Sequence, residues 1–309
     1  MCGTNRENED LNLSSIQFQP STKKFIGILN GKIITSSLDR KYVERKMKTL
    51  GFFDNTPAPA PKPSEFTINQ RFEFVAQMVN MVSKGTAASV IITGQGGLGK
   101  THTVLHSLEK AGVVNITDLA KFQEGQIIPK KSFVVIKGFS TAKGLYRSLF
   151  ENNGKTIVFD DCDSILKDPI AINLLKGALD SYSKRYISWN ADMKDDDLPR
   201  SFEFTGRIIF ISNMSIERLD QAIITRALCV DLSMTEEQKI ERMSVIVKSK
   251  DFLPEISEIA KTDALAFLKT MVGQAPNLSL RSLISVAKIA SEGGTWKNLA
   301  KYVVTQGAV

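Results

Sequence analysis

The stretch Thr93–Thr103, TGQGGLGKTHT, satisfies two phosphate-binding patterns at once. Gly94, Gly96 and Gly99 fit G-x-G-x-x-G, the turn of a dinucleotide site, while Gly94, Gly99, Lys100 and Thr101 fit G-x-x-x-x-G-K-[ST], the P-loop. Both need a strand before and a helix after, because glycines let successive backbone N–H groups turn toward phosphate oxygens and the helix N-terminus completes the anion site. The flanks supply them: ASVIITG reads as a buried strand and GKTHTVLHSLEKAG as a helix. Lys100 and Thr101 favour the P-loop, where the ammonium reaches the β and γ phosphates and the hydroxyl ligates Mg²⁺. A dinucleotide fold has no use for that pair and needs an acid about twenty residues on. Asp118, behind the weak strand VVNITD, is the only loose candidate. The predicted nucleotide contacts are Gly94, Gln95, Gly96, Gly97, Leu98, Gly99, Lys100, Thr101 and His102.

A P-loop requires a second element, an acid at the end of another strand that holds Mg²⁺ through water. KTIVFDDCDS provides it. Asp160 ends the apolar run as the metal-side carboxylate beside Thr101, and Asp161 follows where it can orient the attacking water. Asp163 reads as a cap of the next helix.

Strand and helix patterns alternate around these motifs. INQRFEFVAQMVNMVSKG is helical, SFVVIKG a strand, GLYRSLFENNG a helix, DPIAINLLKGALDSYSK a helix and GRIIFISN a further strand. Such alternation predicts an α/β fold, a P-loop parallel sheet with flanking helices, over residues 66–234. After Asp231 no strand-like run remains, and Thr235 with Gln238 forms a capping box that opens a small all-helical lid domain, 235–309. DNTPAPAPKPSE, within 52–65, is an extended Pro/Ala linker. Before it, residues 1–18 read as a disordered tail. FIGILNGKIITS is a hairpin turning at Asn30-Gly31, and DRKYVERKMKTL is a helix capped by Gly51, which makes a small ββα N-terminal unit within 1–51.

Composition narrows the classes. No run approaches the roughly 20 apolar residues of a membrane helix, the polar N-terminus is no secretory signal, and a cytoplasmic setting with no membrane partner is expected. Three cysteines (Cys2, Cys162, Cys229) and two histidines (His102, His106) are too few and too scattered for a disulfide framework or a zinc site. Net charge is +7, with a Lys/Arg-rich N-terminal unit, so nucleic acid is a possible partner.

Taken in order, these motifs resemble those of AAA+ ATPases, from about residue 66 to the end. GQGGLGKT and DDCD correspond to Walker A and Walker B, although Asp161 stands where the family usually has Glu. GRIIFISN resembles the sensor 1 strand, with Asn213 as its polar residue. LDQAIITRALCVDL resembles the segment bearing the arginine finger, which maps to Arg226, with Arg218 as second choice. SLRSLISVAKIA resembles the sensor 2 helix, which carries Arg281. The resemblance implies ATP hydrolysis with Mg²⁺, catalytic roles for Asp161, Asn213, Arg226 and Arg281, and a homo-oligomeric ring or spiral, expected to be hexameric. It also places Arg71, Phe72 and Phe74 where members wrap the base, though core packing explains them equally well.

Two segments could touch a substrate. IKGFSTAKGLY lies where ring-forming members place a pore loop, so Phe139, with Lys137 and Lys143, reads either as pore lining or, with Tyr146, as core. RYISWNADMKDDDLPRSFEF resembles the hairpin inserted before sensor 1 in a branch that includes viral replicative helicases. Its tip, NADMKDDDLPR, is mostly acidic, which counts against direct DNA gripping and leaves Lys194 as a weak candidate contact. Three functions stay open: an ATPase in DNA transactions (helicase, helicase loader or clamp-loader-like), a protein-remodelling ATPase acting on a protein substrate, and a nucleotide-dependent scaffold. The FDDCD and ISN strands with GLYRSLFENNG also resemble uncharacterised ATPases of tailed phages.

Overall fold

Among the described residues three sheets form: an antiparallel one near the N-terminus, a parallel one that carries the motifs and a two-stranded hairpin. The computed structural model describes residues 14–29, 32–40, 42–43, 46, 64–118, 129–138, 140–180, 182–190 and 198–306. It divides into two compact units, Met1–Pro59 and Ala60–Val309.

In the first unit, β1 (Ser14–Gln19), β2 (Lys24–Leu29) and β3 (Lys32–Ser37) form an antiparallel sheet in that order. The expectation of disorder is therefore corrected over residues 14–18, while residues 1–13 lie outside the described residues. SSIQFQ alternates polar and apolar residues, and Phe18 pairs directly across from Phe25 with ring centroids 5.1 Å apart. Leu29 pairs with Lys32, so the strands meet on either side of Asn30-Gly31, which itself lies outside the described residues. Residues 40, 42, 43 and 46 are helical; Gly51 and the Pro/Ala linker also lie outside the described residues.

The second unit begins with α1 (Ile68–Lys84), entered through a capping box in which Thr67 accepts from the Gln70 N–H. Then come β4 (Ser89–Thr93), α2 (Lys100–Lys110), β5 (Val114–Asn115), β6 (Ser132–Lys137), α3 (Ala142–Glu151), β7 (Thr156–Asp160) and α4 (Pro169–Ala178). A short hairpin, β8 (Tyr186–Ser188) with β9 (Ser201–Glu203), precedes β10 (Arg207–Ile211), α5 (Gln221–Ile224) and β11 (Leu228–Asp231). The parallel sheet runs β11-β4-β10-β7-β6-β5. VVNITD thus contributes a two-residue strand at the sheet's edge.

Strands β4 and β7 are buried at every position, as parallel strands covered on both faces must be. Alternate residues feed two cores. Val90, Ile92, Val158, Ile209 and Ile211 pack under α1 and α2, while Ile91, Ile157, Phe159, Ile208 and Phe210 pack under α3 and α4. Tyr146 belongs to the second core, fully buried, and its hydroxyl donates to the Pro199 carbonyl at 2.6 Å. Phe139 lies outside the described residues, as does the hairpin tip 191–197 with Lys194.

Four helices follow: α6 (Glu236–Ile246), α7 (Glu258–Thr270), α8 (Leu280–Ser291) and α9 (Trp296–Thr305). They share their own core around Met243, Leu268, Leu283 and Val286. The Thr235–Gln238 capping box forms as read. Among the described residues no helix is long and apolar enough to cross a membrane.

Candidate nucleotide site

The carboxyl ends of β4, β10 and β7 are adjacent in the sheet, so the residues that leave them converge. The loop after β4 needs backbone only glycine adopts easily: φ is +131° at Gly94, +72° at Gly97 and +87° at Gly99. A Cβ at Gly94 would sit 2.9 Å from the Leu232 carbonyl carbon, so the loop also lies hard against the exit of β11.

Lys100, the first residue of α2, turns back into this loop. Its ammonium donates to the carbonyls of Gly94 and Gln95, both at 2.7 Å, and to Asn213 Oδ1 at 2.9 Å. Burial pushes its pKa down to about 8, an effect opposed by Asp161, Asp163 and Asp160 and reinforced by Arg281. Thr101 Oγ1 donates to Asp160 Oδ1 at 2.8 Å, and Asp160 Oδ2 lies 3.1 Å from Lys137 Nζ. A hydroxyl and a carboxylate in contact are the oxygen donors a hard divalent cation takes, so the pair suits Mg²⁺. The sequence pattern places Lys137 only as charge near the following loop. The parallel register, which sets it opposite Asp160, is what brings it here.

Asp161 sits at φ +56°, a left-handed conformation unusual for a residue other than glycine. Its Oδ1 accepts from Asn213 Nδ2 at 2.6 Å. Asn213 therefore bridges P-loop lysine and acidic motif with the two ends of one amide. Asp163 does not cap the next helix. It accepts from the Ser212 hydroxyl at 2.6 Å, and Asp168 caps α4 through the Ile170 and Ala171 N–H groups. Ser212, fully buried, also accepts from the Met214 N–H and so fixes the turn that presents Asn213. Nothing but its place beside Asn213 could have pointed to it in the sequence.

The lid reaches the same loop. The Leu280 N–H, first in α8, donates to the Gly97 carbonyl at 2.9 Å, and a Cβ on Gly97 would meet Ser279 Cβ at 3.1 Å and Arg281 Cδ at 3.8 Å. Arg281 is thus brought to the P-loop. Leu98 is a core residue at 3% exposure, and Gln95 Oε1 is buried with no partner among the described residues. Gly96 lies beside the Asn213 amide. His102 is exposed on α2 and stacks on His106, centroids 5.9 Å apart.

Arg226 is not brought into this cluster. It donates to the Ala222 carbonyl at 2.9 Å and lies 3.7 Å from Asp180, with its side chain 36% exposed. Arg218 is exposed as well. Arg71 ties α1 to the lid: it donates to the carbonyls of Asp231 and Ser233, both at 3.0 Å, and to Gln238. Phe72 is buried beneath the Arg242 guanidinium at 3.9 Å, and Phe74 packs on Phe66.

Parallel sheet, P-loop and acidic strand end together have the form of a P-loop nucleotide-binding fold. No family model matches the chain. It is 29% identical over 252 residues, covering 75% of this chain and 73% of the relative, to an uncharacterised 36.7 kDa protein from the nrdC–mobD intergenic region of Enterobacteria phage T4. Among solved structures it is similar to NtrX from Brucella abortus in complex with ATP, with 13% identity and a TM-score of 0.39. That alignment covers 88% of this chain and 71% of that one.

Proposed function

We propose that this chain is an AAA+-type ATPase that binds ATP with Mg²⁺ at the β4–α2 loop and hydrolyses it as a homo-oligomer. One observation carries the reading: two hydrogen-bonded groups, Lys100–Asn213–Asp161 and Thr101–Asp160, stand side by side at the ends of three neighbouring strands. Lys100 is poised to give up its loop carbonyls for phosphate oxygens. Bound Mg²⁺ would neutralise phosphate charge, held by Thr101 directly and by Asp160 through water. Asp161 orients the attacking water and can take its proton; Asn213 positions it and reports the γ-phosphate; Arg281 brings a second cation from the lid. Arg226, held outside its own site, serves as the finger of a neighbouring protomer.

We assign the work of this cycle to DNA transactions. The β8–β9 hairpin stands immediately before the Asn213 strand, a position that supports this reading, although its acidic tip leaves the DNA contact itself to the Lys/Arg-rich N-terminal unit. ATP turnover with Mg²⁺ measured alone, with single-stranded DNA, with duplex DNA and with an unfolded protein tests it. Stimulation by DNA that weakens steeply with salt is the expected result. Stimulation by unfolded protein alone would assign the motor to protein remodelling. No stimulation, with oligomerisation changing on ATP addition, would make the chain a scaffold.

A further inference from the structure

Asp160 is a carboxylate with almost no access to water: its side chain is 4% exposed. A charge so enclosed needs a partner. One oxygen takes the Thr101 hydroxyl at 2.8 Å and the other takes the Lys137 ammonium at 3.1 Å. Lys100, the cation expected at such a site, acts on Asp160 only through space, because its three hydrogen bonds go to Gly94, Gln95 and Asn213. The fold installs Lys137 instead. It is the last residue of β6, paired in register with Asp160, and the next N–H, of Gly138, donates to the Asp160 carbonyl at 3.3 Å. Its own side chain is 63% exposed, so a path into solvent is open to it.

We propose that Lys137 is the resident counter-cation of Asp160, a positioning residue that holds the carboxylate until a divalent cation arrives with nucleotide and that must swing outward for that cation to load. This deepens the nucleotide-site reading and rests on it. Two cations on one enclosed carboxylate repel, so the free energy of separating Lys137 from Asp160 is subtracted from metal binding. Lys137 keeps the empty site charge-balanced and raises the concentration of Mg²⁺ needed to fill it.

The test uses binding of a fluorescent ATP analogue to the full chain, titrated with Mg²⁺, for wild type, Lys137→Met, Lys137→Gln and Lys137→Arg. Both neutral variants should reach half of the Mg²⁺-dependent gain in affinity at about tenfold lower Mg²⁺ than wild type. Binding in excess chelator should be alike in all four, and the Arg variant should return the Mg²⁺ requirement to wild type or above it. Met and Gln variants that need as much Mg²⁺ as wild type, or more, overturn the proposal. So does loss of chelator-insensitive binding in those variants, which would place Lys137 on the nucleotide itself. Absence of binding in wild type at every Mg²⁺ concentration would instead remove the nucleotide-site reading, and this inference with it.

Discussion

Asn213 Oδ1 accepts from Lys100 Nζ at 2.9 Å, so the residue two places beyond the end of the central β10 strand is fastened to the lysine that follows the β4 loop. The other end of the same amide donates to Asp161 at 2.6 Å. Cutting that amide away separates two functions. In Asn213→Ala, Lys100 keeps two carbonyl partners and stays available to phosphate, whereas Asp161 loses the donor that holds its carboxylate. Nucleotide affinity should change little, while turnover falls about 10²-fold, the scale for removing one preorganised hydrogen bond at a reacting centre. A loss of affinity with saturated turnover unchanged would show that Asn213 acts on binding alone.

Lys100 gives the site a pH dependence of definite sign. Burial holds its folded pKa at about 8, below the 10.5 of an unburied lysine. Between those values the unfolded chain carries a proton that the folded chain has released, so this group makes stability rise with pH from about 8 toward 10.5. Phosphate binding needs the ammonium, so nucleotide affinity should run the other way. It should fall as pH passes about 8, approaching tenfold per pH unit. Isothermal titration from pH 7 to pH 9.5 reads this directly, and a flat profile would contradict it. Lys100→Met should abolish binding and remove this group's rise in stability above pH 8, since it deletes the titrating charge while keeping the buried stem.

The glycines of the loop are not equivalent. Gly94 combines φ +131° with a Cβ position 2.9 Å from backbone, which cannot yield easily. Gly97 combines φ +72° with a 3.1 Å contact to Ser279 across the lid contact. Gly96 has no positive φ, and its nearest neighbour is the Asn213 amide oxygen at 3.6 Å. Alanine should therefore cost about 2–3 kcal/mol at Gly94, about 1–2 at Gly97 and about 0.5 or less at Gly96. Urea unfolding of the three variants gives the order, and a Gly96 variant as unstable as the Gly94 one would refute it.

The motifs were legible because their chemistry is local. A GKT sequence after a buried strand fixes where Lys100 and Thr101 go, and an apolar run ending in Asp-Asp fixes Asp160 and Asp161. Partners set by strand order were not legible. Lys137 meets Asp160, and Ser212 meets Asp163, only because β6, β7 and β10 are neighbours in the sheet, which no spacing along the chain encodes. Asp163 shows the cost of a local rule: an acid after a strand reads as a cap, yet a buried hydroxyl from the next strand claimed it. Strand β1 shows the reverse error, in which a polar tail concealed a six-residue alternation that needs Phe25 opposite to become visible.

Arg226 tests whether two chains share one site. Its side chain is anchored in its own protomer by Ala222 and Asp180, and among the described residues none of its polar contacts reach the P-loop or the acidic motif. Arg226→Ala should leave folding and nucleotide affinity unchanged and reduce turnover about 10³-fold or more, as loss of a finger does. Lys100→Met should also be inactive, by failing to bind nucleotide, yet its Arg226 remains intact. Mixing the two inactive variants places an intact finger beside an intact pocket at some interfaces. Turnover should reappear and peak at a mixing ratio that maximises such pairs. Two variants that stay silent at every ratio, although they co-assemble by light scattering, would show that Arg226 acts within its own protomer or not at all.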